Sequence, residues 1–110
     1  MSTNMAWVIL SIAGLLEVCW AVGLKYSDGF TKLGPSAFTI VCLAASMFLL
    51  ARASQVLPIG TAYAIWVGIG ALGAALAGIF MLNEPVTAGR LVFLLMLLVS
   101  IVGLKLTAQH

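Results

Sequence analysis

Residues 5–24 read MAWVILSIAGLLEVCWAVGL, with one charge, Glu17, in the run. About 20 apolar residues cross the hydrocarbon core of a bilayer as a helix. Glu17 stands ten residues past Trp7, so it lies roughly 15 Å along that helix, near the membrane centre. An ionisable side chain there is costly, and it usually marks a proton relay, an ion site or a counter-ion. The structural alternative is a neutral carboxyl hydrogen-bonded between helices.

The rest of the chain is equally apolar. Of its 110 residues, 64% are hydrophobic and 7% are charged, and the mean hydropathy is +1.23. Soluble domains carry about 25% charged residues, so an integral membrane protein is expected. The net charge of +2 is too small and scattered for nucleic-acid binding. The opening MSTNMAW lacks the basic region of a secretory leader, so none is expected. Cys19 and Cys42 fall inside apolar runs without metal-type spacing and read as small buried residues. No metal role is expected for the terminal His110.

Outward from the first run, turn signals divide the chain into four spans, about 5–24, 35–51, 58–82 and 90–107, forming one transmembrane domain over 1–110. KYSDGFTKLGP, with Asp28-Gly29 and Gly34-Pro35, punctuates the first loop. Pro35 and Pro58 stand at helix starts, where proline is tolerated. NEPVTAG, with Pro85, closes the third span. Short loops force antiparallel neighbours. Helices and tight connectors use the whole sequence, leaving no room for a soluble catalytic domain, so the chain does not read as an enzyme.

Four spans put both termini on one side. Arg52 and Lys105 lie on that side, and Lys25, Lys32 and Arg90 on the other. Orientation follows the Lys/Arg bias near the membrane ends, and two against three is almost no bias. The chain is therefore expected to insert both ways round and to form an antiparallel homodimer. Such a dimer supplies the two equivalent halves that many transporters obtain from inverted repeats.

Residues three and four apart share a helix face. Around Glu17 these are Ala13, Gly14, Trp20 and Ala21. Thr39, Cys42 and Ser46 form a mildly polar stripe on the second span. Tyr63 and Trp66 share a face with Gly70 on the third. A carboxylate, a hydroxyl, a phenol and two indoles can surround a small cation. Trp and Tyr also serve as interfacial anchors, a reading that suits Trp7 near its helix end better than Trp20.

Gly68 to Gly73, GIGALG, matches the G-x-G-x-x-G dinucleotide fingerprint. That motif needs a preceding strand and an acidic residue about 20 positions on. Here it falls inside an apolar span, and no Asp or Glu follows Glu84, so no nucleotide cofactor is expected. Positions 70, 73, 74, 77 and 78 are all Gly or Ala on one face, a surface for close helix approach. Gly68, Gly70 and Gly73 also offer a bending point.

GLLEVCWAVGLKYSDGFTKLGPS, PIGTAYAIWVGIGALGA and NEPVTAGR, taken in order, resemble the small multidrug resistance family of proton-coupled exporters across all four spans. Within it the chain is similar to the guanidinium-exporter subtype. Trp20 is the chief discriminator, because the drug-exporting subtype typically has small residues there. The resemblance implies that Glu17 binds protons and substrate, that Trp20, Ser46, Tyr63 and Trp66 line the substrate site, and that Gly14 lines the cleft. It implies a prokaryotic inner-membrane location and a dimer contact through the fourth helix, where Ser100 and Gly103 are the small residues.

The expected mechanism is exchange at one site. A carboxylate accepts the planar N–H fork of guanidinium bidentately. Ser46 is expected to orient Glu17, Trp20 to donate its N–H to the carboxylate, and Tyr63 and Trp66 to add cation attraction. Burial favours a protonated acid and a bound cation favours a carboxylate, so proton and guanidinium compete. Three other readings stay open: a broader exporter of hydrophobic or quaternary ammonium cations, a small dual-topology ion channel, and a non-transporting assembly partner.

Overall fold

A computed structural model describes residues 2–107; His110 lies outside them. The described residues form four helices, α1 (Thr3–Tyr26), α2 (Leu33–Ala53), α3 (Ile59–Met81) and α4 (Ala88–Thr107). All four are long and apolar enough to cross a membrane.

Local chemistry sets the ends. The Ser2 hydroxyl caps α1 by accepting the Met5 N–H at 3.1 Å, the usual N-cap role of serine. At its other end the Ser27 hydroxyl donates to the Leu24 carbonyl at 2.7 Å. Asp28, Gly29 and Phe30 then take positive φ values of 50°, 70° and 67°. Asp and Gly enter that region readily, whereas Phe does so rarely. Helix α2 starts at Leu33, two residues before Pro35. Proline fits there because the first four N–H groups of a helix have no intrahelical acceptor. Pro58 is the N-cap of α3, and its carbonyl accepts the Ala62 N–H at 2.9 Å. Asn83, at φ 55°, ends α3, and the Thr87 hydroxyl caps α4 through the Arg90 N–H at 3.1 Å.

Helix α1 is the hub, packed against both α2 and α3, while α2 and α3 barely touch. Helix α4 packs mainly on α3 and buries no residue in the single chain. The resulting slab measures 41 × 35 × 17 Å. Its core joins Trp7, Leu10 and Ala13 of α1 to Leu50 and Ala53 of α2 and to Ile65 and Trp66 of α3. That places the tight packing toward the end where α2 turns into α3. Trp7, expected as an interfacial anchor, is instead 9% exposed in this core, with the Lys105 ammonium 5.2 Å from its ring centroid.

Glycines set the helix spacing. A Cβ on Gly14 would run into Ile69 of α3, and one on Gly73 into Val18 of α1. Gly68 faces Ile101 and Leu97 of α4, so the glycine cluster serves two neighbouring helices. In lipid, helix association depends on such close packing, because lipid tails are as apolar as leucine.

Candidate functional site

Glu17 projects from the middle of α1 onto α3. Its carboxylate lies against Gly70, where any Cβ would overlap it. Glu17 is partly buried, and its Oε1 is a fully buried atom without a hydrogen-bond partner among the described residues. The Trp20 Nε1, three residues on, is buried and unpartnered in the same way. Buried polar atoms are nearly always satisfied, so each exception needs a reason. Here an acceptor and a donor stand one helical turn apart, without bonding each other.

A second group lies deeper in the packed core. The Trp66 Nε1 donates to the Ser46 hydroxyl at 2.9 Å, and that hydroxyl donates to the Ala13 carbonyl at 2.7 Å. The chain links α3, α2 and α1 inside a buried region. In an α-helix the carbonyl of residue 13 also receives the N–H of residue 17, so Ser46 acts on the turn that carries Glu17. Tyr63 stacks on Trp66 with ring centroids 5.7 Å apart and planes tilted 46°. It is 54% exposed in the single chain.

The contacts differ from three expectations. Ser46 does not bond the Glu17 carboxylate; its hydroxyl is committed to Trp66 and Ala13. Trp20 does not donate to Glu17. Gly14 is buried against Ile69 rather than bordering open space. Two further features were not read from the sequence. The facing of Gly70 and Glu17 is a register between helices that a single-chain periodicity does not contain. The ion pair between Glu84 and Arg90, at 2.9 Å, had a signal: two opposite charges bracketing one proline turn. Arg90 also reaches the Ala75 carbonyl at 3.5 Å, tying the start of α4 to the end of α3.

The GIGALG stretch lies wholly within α3, preceded by a helix and a short link, so it lacks the strand a dinucleotide site requires. Cys42 is buried and Cys19 partly so, both as free thiols. No group of three metal-ligating side chains occurs among the described residues.

A mid-span carboxylate and a neighbouring indole N–H thus lie on α1, with an aromatic pair on the facing helix α3. Residues 5–98 match the family described as Small Multidrug Resistance protein. The chain belongs to that family. Among its relatives, the guanidinium exporter of Yersinia pestis is 58% identical over 104 residues, covering 94% of this chain and 100% of the relative. The guanidinium exporter of Salmonella typhimurium is 57% identical over 105 residues, with 96% and 100% covered. That of Escherichia coli K12 is 55% identical over 105 residues, with the same coverage. Small multidrug resistance proteins with such relatives are multi-pass membrane transporters, so the chain is not an enzyme.

Proposed function

We propose that this protein exports guanidinium and small substituted guanidines in exchange for protons, as an antiparallel homodimer in a prokaryotic inner membrane. The observation that carries the reading is the partnerless Glu17 carboxylate oxygen in the middle of a membrane helix. Relatives named guanidinium exporters, at 55–58% identity over nearly the whole chain, support the choice of substrate.

Guanidinium is planar, singly charged and rich in N–H donors, and a carboxylate accepts two of them side by side. Glu17 of each subunit takes either a proton or the cation. Trp20 shapes the site on the same face. Tyr63 and Trp66 offer ring faces to the cation, and Ser46 holds Trp66 in place. Gly14, Gly70 and Gly73 keep α1 and α3 close, and the Gly68–Gly73 stretch is where α3 bends as the site changes its opening. Only a loaded dimer reorients, so inward proton flow drives the cation out. In an antiparallel dimer the two openings are related by symmetry, and each reorientation regenerates the same structure facing the other way. The exposed α4, apolar from Leu91 to Val99, supplies the contact between subunits.

Solid-supported membrane recordings on reconstituted protein test this reading. Currents with guanidinium that saturate, respond to a proton gradient and are absent with urea are the expected result. Non-saturating flux indifferent to the proton gradient points to a channel and contradicts it.

A further inference from the structure

Away from the Trp7–Trp66 core lie the C-terminal parts of α1 and α3 and the N-terminal part of α2. There they leave a groove of about 240 Å³ lined by Val18, Cys19, Val22, Phe38, Ala77 and Met81, with no polar surface. Phe38 and Met81 are themselves about half exposed in the single chain, at 51% and 55%. Gly23 brings α1 against Phe38 and Thr39 of α2, which closes one wall.

The end of the bundle that holds this groove carries two lysines. Val18, Val22 and Lys25 follow one stripe of α1, at spacings of four and three residues. Lys32 is the N-cap of α2, about 9 Å along the axis from Phe38. Neither lysine has an ion-pair partner among the described residues, where Glu84 and Arg90 form the pair. Asp28, between the two lysines, offsets one of the charges. Tyr26 is 44% exposed at the same level, where an aromatic hydroxyl meets the headgroup zone. A wholly apolar groove at acyl-chain depth, with two unpaired lysines at the same end of α1 and α2, matches one occupant on both counts.

We propose that this groove binds an anionic phospholipid, with an acyl chain between α1, α2 and α3 and its phosphate at Lys25 and Lys32. Such a lipid fills the groove that the single chain leaves open. The site is separate from Glu17, and the inference does not depend on which cation is transported.

Native mass spectrometry of the purified full chain tests it, with phosphatidylglycerol and phosphatidylcholine of identical acyl chains supplied in equal amounts. A lysine near a bilayer surface contributes roughly fivefold to anionic lipid binding, and Asp28 cancels one of the two. The wild type is therefore expected to retain phosphatidylglycerol roughly fivefold over phosphatidylcholine, and high salt is expected to reduce that preference. Lys25→Gln with Lys32→Gln leaves Asp28 uncompensated and should abolish the phosphatidylglycerol preference or reverse it, whereas Arg52→Gln, at the opposite end, should leave the preference intact. Ala77→Leu, which fills the groove, should lower retention of both lipids. Parity in the wild type, a salt-independent preference, or a preference that survives loss of both lysines overturns the proposal. Full retention in the Ala77→Leu protein overturns the groove as the place of binding. Should a variant fail to fold, the two wild-type measurements still decide. Displacement of the lipid by free glycerol phosphate would show that the headgroup alone is recognised, and would also overturn it.

Discussion

The Glu17 carboxylate rests on the bare backbone of Gly70. The approach sets how near α1 comes to α3 at the level of the acid, and it leaves no room for even one methyl group. Gly70→Ala should therefore displace either the carboxylate or the helix. Overpacking of this kind costs about 1–3 kcal/mol, and guanidinium transport should fall more steeply than stability. Gly60, at the start of α3, faces nothing within 4 Å, so Gly60→Ala should be neutral or slightly stabilising. Thermal unfolding in detergent and transport in proteoliposomes, measured side by side, check both variants.

The hydroxyl of Ser46 is shared between Trp66 and Ala13. Ser46→Ala leaves the buried indole N–H and the Ala13 carbonyl each short of that partner. The expected loss is about 1–3 kcal/mol of stability, the usual cost of an unsatisfied buried polar group. Trp66→Phe keeps the bond from Ser46 to Ala13 and an aromatic face, so it should retain more of its cation affinity than Trp66→Ala. Guanidinium titrations monitored by the remaining tryptophan fluorescence rank the three variants.

Two lysines or arginines on the side of the termini face three on the other, and the orientation bias is correspondingly weak. Cysteine labelling at a loop position, in a background without Cys19 and Cys42, should be blocked about half-way by a membrane-impermeant quencher, as equal insertion both ways requires. Complete protection or complete labelling means a single orientation and rules out the antiparallel dimer.

The helices were legible because their chemistry is local. Apolar runs of membrane length, Asp28-Gly29, Pro58 and Pro85 mark the spans within a residue or two of where α1 to α4 begin and end. Helix α2 is longer than the proline at 35 suggested, since a missing N–H costs nothing in the first turn. The residues of the candidate site were also nameable, as an acid, indoles and a hydroxyl at helical spacings. Their partners were not. Which glycine faces Glu17, and which carbonyl occupies Ser46, depend on rotation and sliding between helices. A face of small residues permits many such registers. The clustering of contacts on α1, with α2 and α3 scarcely touching, likewise departs from the expectation that neighbours in sequence pack side by side.

Selectivity should follow charge and N–H geometry together. Urea has the shape of guanidinium without the charge, and quaternary ammonium has the charge without the N–H fork. Arginine has the fork, but its α-carboxylate and α-ammonium must shed water beside apolar walls, at several kcal/mol for each unpaired ion. Guanidinium and small apolar guanidines should lead, with urea and arginine near background. Trp20→Gly should enlarge the site and relax this order toward quaternary cations. Equal currents with tetraalkylammonium and guanidinium in the wild type contradict the substrate assignment.

The central claim is that one carboxylate carries both proton and cation, and Glu17→Gln tests it most directly. The amide keeps the size of the side chain but neither titrates nor carries charge. In proteoliposomes made acidic inside, wild-type protein should take up external guanidinium as protons leave. The Glu17→Gln protein, confirmed as a folded dimer by size and thermal unfolding, should show uptake at the level of empty liposomes. Proton-driven uptake near the wild-type rate in that variant contradicts the account.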